Sequence, residues 1–93
     1  MTITIQIGNS DDKLTQREWA DFISTVTQKI GVIWPTQIHF SGGSNINSPY
    51  QNYCWVLVID SNVLGEIEKN LTLIRKHFRQ DSVAITIGET KFI

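Results

Sequence analysis

Residues 2–19, TITIQIGNSDDKLTQREW, contain the change of period on which the fold depends. Up to Ile7 the pattern alternates, with Ile3, Ile5 and Ile7 on one side and Thr2, Thr4 and Gln6 on the other, as in a strand with one buried face. From Thr15 onward the period is helical. Thr15 and Glu18 have the spacing of a capping box, and Leu14 and Trp19 that of a hydrophobic staple. These signals predict a helix from about Gln16. It places Trp19, Phe22, Ile23, Val26 and Ile30 on one face, Lys29 near the negative end of the dipole and Gly31 as a left-handed stop. Between strand and helix lie five polar residues, 9–13, that neither element requires.

Farther along, Pro35 opens an extended piece in which Ile38 and Phe40 alternate with Gln37, His39 and Ser41. The segment SGGSNINSPY then reads as a long hairpin loop in which Gly42 and Gly43 serve turn geometry. Residues 52–59, NYCWVLVI, are apolar on both parities and predict a central strand. Asp60 or Ser61 can cap a second helix, whose stripe is Leu64, Ile67, Leu71, Ile74 and Phe78. Arg75, Lys76, His77 and Arg79 fall at its C-terminal turn, and residues 82–87 alternate as a last strand.

The order β-α-β-β-α-β predicts one α+β domain over residues 1–93: a ferredoxin-like sandwich, its antiparallel sheet in the order 4-1-3-2 with both helices on one face. Alternating chain direction then brings the loop after the first strand, the hairpin loop and the turn RQDS to the same end of the sheet.

Composition narrows the function classes. Eight Lys plus Arg against nine Asp plus Glu leave no field to attract a polyanion, so nucleic acid is a poor partner. The longest apolar run, residues 53–59, is too short to span a bilayer, and the start MTITIQI lacks a basic leader region. A single cysteine with no metal-ligand spacing around it suits a reducing interior, so a cytoplasmic location is expected and no cofactor is called for.

The expected site is a polar cup at the shared end of the sheet. Asn9, Ser10, Asp11, Asp12 and Lys13 come from the first loop, Gln51 and Asn52 from the hairpin, and Arg79, Gln80, Asp81 and Ser82 from the last turn. Tyr50, Tyr53 and Trp55 offer aromatic walls. Amides, hydroxyls and both charge signs suit a nucleotide-type ligand with at most one phosphate. The plainer reading of residues 9–13 is a set of side chains bonding their own turn backbone. Asp11, Asp12 and Asp81 carry the oxygen ligands a metal-assisted hydrolase would need, although their spacing follows no known metal-loop motif. His39 and His77 read as surface residues and Cys54 as a small core residue.

Two parities remain open for the third strand. If Cys54, Val56 and Val58 lie under the helices, then Tyr53, Trp55, Leu57 and Ile59 form an apolar stripe on the open face, which a homodimer joined sheet to sheet, or an inhibited partner protein, would cover. The reversed parity puts Tyr53 and Trp55 in the core.

Two resemblances bear on this. IQIGN and NYCWVLV sit where an RNA recognition motif carries its signature strands, which would make Tyr53 and Trp55 base-stacking residues. That pattern, however, has an aromatic where this chain has Gln6, a basic residue where it has Gln51, and a cationic loop where SGGSNINSPY is uncharged. IGNSDDKLTQREW, YQNYCW and FRQDSVA together resemble a family of small uncharacterised proteins of bacteria and their phages, over nearly the whole chain. That resemblance implies stoichiometric binding, of the kind by which small phage proteins sequester nucleotide immune signals in anti-defence.

Overall fold

A computed structural model describes residues 1–9, 11–32, 36–45, 48 and 50–93. Strand β1 (Thr2–Gly8) is followed by helix α1 (Gln16–Val32), strands β2 (Thr36–Gly43) and β3 (Asn52–Ile59), a single 3-10 turn (Ser61–Val63), helix α2 (Leu64–His77) and strand β4 (Ala84–Gly88). The chain is thus α+β, with one four-stranded antiparallel sheet in the order β2-β3-β1-β4, the expected neighbour relations. Ser10 and Pro35 lie outside the described residues.

The start of α1 follows its sequence signals. The Thr15 N–H donates to Glu18 Oε1 and the Glu18 N–H to Thr15 Oγ1, both at 3.1 Å. Leu14 and Trp19 are both buried in the core. The stop signal is not used: α1 runs through Gly31 to Val32, and no glycine adopts positive φ. An exposed helix end can continue through Gly at a modest cost in entropy. Helix α2 begins after Asp60, whose side chain accepts the Asn62 N–H, and ends in a Schellman motif. There the Gln80 N–H reaches the Arg75 carbonyl at 2.8 Å and the Arg79 N–H the Lys76 carbonyl at 3.1 Å. The left-handed position of that motif is held by Arg79 itself, at φ 57°.

Register settles the parity of β3. Antiparallel partners share a face, and Trp55 stands opposite Ile5, Leu57 opposite Ile3. Trp55 and Leu57 have no exposed surface and Ile59 has 3%, all three in one cluster with Phe22, Val26 and Ile30 of α1 and Ile67, Leu71 and Ile74 of α2. The apolar stripe Trp55–Leu57–Ile59 therefore faces the helices. Its expected role as an open surface for a homodimer or an inhibited partner falls with it, as does the stacking role of Trp55 in the RNA-recognition resemblance. The cause is size: only the helix-covered side is deep enough for an indole. Trp55 Nε1 also gains an acceptor there, Thr27 Oγ1 at 3.2 Å.

Cys54, Val56 and Val58 instead lie partly exposed on the face without helices, so Cys54 is not a core residue. Gly42 and Gly43 are not turn residues either, since both belong to β2, opposite Cys54 and Tyr53. Each seats an aromatic ring. A Cβ on Gly42 would lie 2.9 Å from Phe40 Cζ, and one on Gly43 would lie 2.7 Å from Tyr53 Cδ2 and run into the Asn52 carbonyl oxygen. Strand β4 starts at Ala84 rather than at residue 82, after the turn that carries the chain from α2 back to the sheet.

Candidate functional site

The three polar segments do meet at one end of the sheet, but they are tied to one another more than they are open. Asn9 is 2% exposed. Its Oδ1 accepts the Leu14 N–H at 3.0 Å, and its Nδ2 donates to the Leu14 carbonyl at 3.1 Å and to Gln51 Oε1 at 3.0 Å. The Asn9 backbone N–H reaches the Gln51 carbonyl at 2.9 Å. Gln51, 5% exposed, pairs in turn with Gln16: Gln51 Nε2 donates to Gln16 Oε1 at 2.8 Å and Gln16 Nε2 to Gln51 Oε1 at 3.4 Å. A buried amide must find partners, and these amides find them within the chain. Asn9 and Gln51, expected to face a ligand, instead lock the first loop to the hairpin. Gln80 is similarly buried, at 7%, with Nε2 on the Phe78 carbonyl at 3.1 Å.

Of the charged members, Asp11, Lys13, Asp81 and Arg79 are engaged in ion pairs. Lys13 Nζ lies 3.6 Å from Asp11 Oδ2 and 3.4 Å from Asp81 Oδ2. Arg79 NH2 lies 2.7 Å from Glu18 Oε2 and 3.3 Å from the Lys13 carbonyl. That bridge explains why an arginine occupies a left-handed position usually given to glycine: its side chain crosses to the start of α1. Glu18 has its pKa lowered, first by the Thr15 backbone N–H and then by Arg79. Asp11 also accepts the Lys13 N–H at 3.3 Å, and the Asp12 N–H, at φ 56°, reaches the Asn9 carbonyl at 3.0 Å. The first loop thus uses much of its polarity on its own backbone. What stays open is a hollow of about 210 Å³ bounded by Gly8, Asp11, Gln80, Asp81 and Ser82. Among the described residues its lining includes no Lys or Arg, and the two basic side chains nearest it are paired with carboxylates. Among the described residues no three of Asp, Glu, His and Cys group as a metal would need, so the set Asp11, Asp12 and Asp81 is not assembled.

A second opening, not anticipated from sequence, lies between the first half of α1 and the β2–β3 hairpin. It holds about 280 Å³ and has two kinds of wall. Trp19, Ala20, Ile23 and Tyr53 supply apolar and aromatic surface, while Gln16, Gln51, Asn52 and Ser44 supply amides and a hydroxyl. Tyr53 is held against Trp55, ring centroids 4.8 Å apart, and its hydroxyl donates to Ser41 Oγ at 3.4 Å. Asn52 is pinned by its Nδ2 on the Tyr50 carbonyl at 3.3 Å and by its N–H on Ser44 Oγ at 3.0 Å. Among the described residues Asn52 Oδ1 and the second N–H of each Gln amide have no protein partner. No Asp, Glu, Lys or Arg among the described residues lines this groove. Of the expected aromatic walls, Tyr53 borders it, Tyr50 is 70% exposed and not among its described lining residues, and Trp55 is sealed in the core. The sequence signal for the groove is the set Gln16, Ala20 and Ile23 at helical spacing, one step to the side of the core stripe.

Searched against protein-family models and curated proteins, the sequence matches none. Among the described residues no helix is long and apolar enough to cross a membrane.

Proposed function

We propose that this chain is a non-catalytic binding protein that holds a planar, hydrogen-bonding ligand of nucleoside type in the groove between α1 and the β2–β3 hairpin. The observation that carries the reading is the two-walled lining. Trp19, Ile23 and Tyr53 suit the face of a heterocycle, and the exposed amides of Gln16 and Asn52 suit its edge. A volume of about 280 Å³ is just below the usual range of small-molecule sites, room for one ring system with its sugar and not for a dinucleotide. The lack of a cation makes a terminal phosphate a burden, which moves the expected ligand from a charged nucleotide toward its uncharged part. The element order and strand order support reading the frame as ferredoxin-like. The single cysteine supports a reducing, cytoplasmic setting, and the resemblance to small bacterial and phage proteins supports sequestration over turnover.

Isothermal titration against nucleosides, their monophosphates, cyclic dinucleotides and ADP-ribose tests this. Expected is micromolar binding of at least one nucleoside, weakened by a 5′-phosphate and abolished by Ala20→Trp, which fills the groove from an exposed helix position. Absence of heat from every compound, or binding indifferent to Ala20→Trp, refutes the assignment.

A further inference from the structure

We propose that the helix-free face of the sheet is a self-association surface, on which a second copy of this chain packs face to face about a two-fold axis parallel to the strands. This rests on the surface opposite the ligand groove and is independent of it.

The first argument is charge. None of the four strands contains an Asp, Glu, Lys or Arg; every such residue of the chain lies in a helix, loop or tail. A sheet face left to water ordinarily alternates hydrophobic-in with polar or charged-out, and exposed strands use charge to discourage pairing. Here the outward row across the middle of the sheet is Phe40, Val56, Thr4 and Thr86, and the next is Gly42, Cys54, Gln6 and Ala84. At its Thr2–Val58 end the face is bordered by the C-terminal tail, where Glu89 and His39 line a hollow; the two rows above carry no charge. Across those two rows a second copy meets no like-charge repulsion.

The second argument is area. Four strands at their usual spacing and about six residues of length present roughly 400 Å² in projection and on the order of 600 Å² of accessible surface. Two copies would bury about 1,200 Å², the lower bound for a specific, stable interface.

The third is relief. Phe40, 56% exposed, is the tall residue at the β2 edge, and its ring rests over the missing side chain of Gly42. At the β4 edge the face falls to Ala84 and Thr86. An axis along the strands lays β2 of one copy over β4 of the other, so that Phe40 stands on the low ground around Thr86 twice. Any two-fold that put β2 over β2 would stack tall on tall and leave the β4 halves apart.

Sedimentation velocity on the full chain between about 10 and 300 µM tests the proposal. Dimers are expected to accumulate across that range. Phe40→Asp and Thr86→Arg, both at exposed positions and checked for a native circular-dichroism spectrum, should each weaken the dimer at least tenfold. Mixing the two variants should restore it, because one interface half then pairs Asp with Arg and the other keeps Phe40 on Thr86. In the wild type, Cys54 should react with a maleimide more slowly as concentration rises. A wild type that stays monomeric at the highest concentration overturns the proposal. So does a dimer indifferent to both substitutions, a mixture that remains monomeric, or a Cys54 reactivity independent of concentration.

Discussion

Replacing Asn9 with alanine should be among the most damaging single changes outside the apolar core. The side chain satisfies three partners: the Leu14 N–H, the Leu14 carbonyl and Gln51 Oε1. Leu14 is itself buried, so both of its backbone groups lose their partner without direct access to water. At about 1–3 kcal/mol for each group left unpaired, and with some relief if a water enters the vacated space, Asn9→Ala should cost about 2–4 kcal/mol. In a chain of this size that is a drop in Tm of about 10–20 °C. Asn9→Asp sharpens the reasoning. The carboxylate keeps the acceptor facing the Leu14 N–H but turns an oxygen toward two other oxygens, those of Leu14 and Gln51. Its pKa in the folded state must therefore rise above that of the unfolded chain, by burial and by the loss of a donor. The aspartate variant should then be at its weakest near pH 7 and regain stability as pH falls toward 5, where a protonated carboxyl can again donate. Urea melts at the two pH values, with the exposed helix change Ser24→Ala as reference, give the comparison. A cost for Asn9→Ala within about 0.5 kcal/mol of that reference, or a flat pH response for Asn9→Asp, would mean that these bonds do not hold the loops together.

Three further outcomes follow from the same structure. Gly43→Ala should cost about 1–3 kcal/mol because its Cβ meets a backbone carbonyl, whereas Gly42→Ala should be near neutral, since the Phe40 ring above it is exposed and can swing; paired denaturant melts would separate them. Glu18 has a folded pKa below its unfolded value, so its contribution is whole above the unfolded value and is lost as pH falls through the lowered one; an acid-unfolding series should show this step, and Glu18→Gln should lack it. Thr27→Val leaves Trp55 Nε1 without its acceptor and should cost about 1 kcal/mol, with a change in tryptophan emission on the same sample.

The parts of the fold that repeat along the chain were legible before any coordinates. The alternation of Ile3, Ile5 and Ile7 and the capping box at Thr15 each report on their own neighbourhood, and the structure agrees with both. The meeting of three distant loops was legible as well, because strand direction fixes it. The parity of residues 52–59 was not, for NYCWVLVI is apolar on both sides and only the depth of the helix layer decides which side takes Trp55. Nor was the use of Asn9 and Gln51. Polar residues in a loop look alike in sequence whether they face solvent or each other, and their closure depends on a distance between segments 42 residues apart. The groove beside α1 was hidden for the same reason, since its hairpin wall is set by how far β2 extends. Taking Gly42 and Gly43 as turn formers shortened that strand by two residues.

Those two glycines bear on how the β2–β3 hairpin keeps its alignment. One ring sits on each face of the sheet, Tyr53 over Gly43 toward the helices and Phe40 over Gly42 on the other side. Sliding one strand past the other by a single residue would exchange the faces, and in the direction that brings Tyr53 opposite Ser44 it would set the ring against a neighbour that carries a side chain. Of the two, only Gly43 takes its ring from the partner strand, so it works as a notch: the offset that seats Tyr53 on the bare position is favoured over one that sets the ring against a side chain.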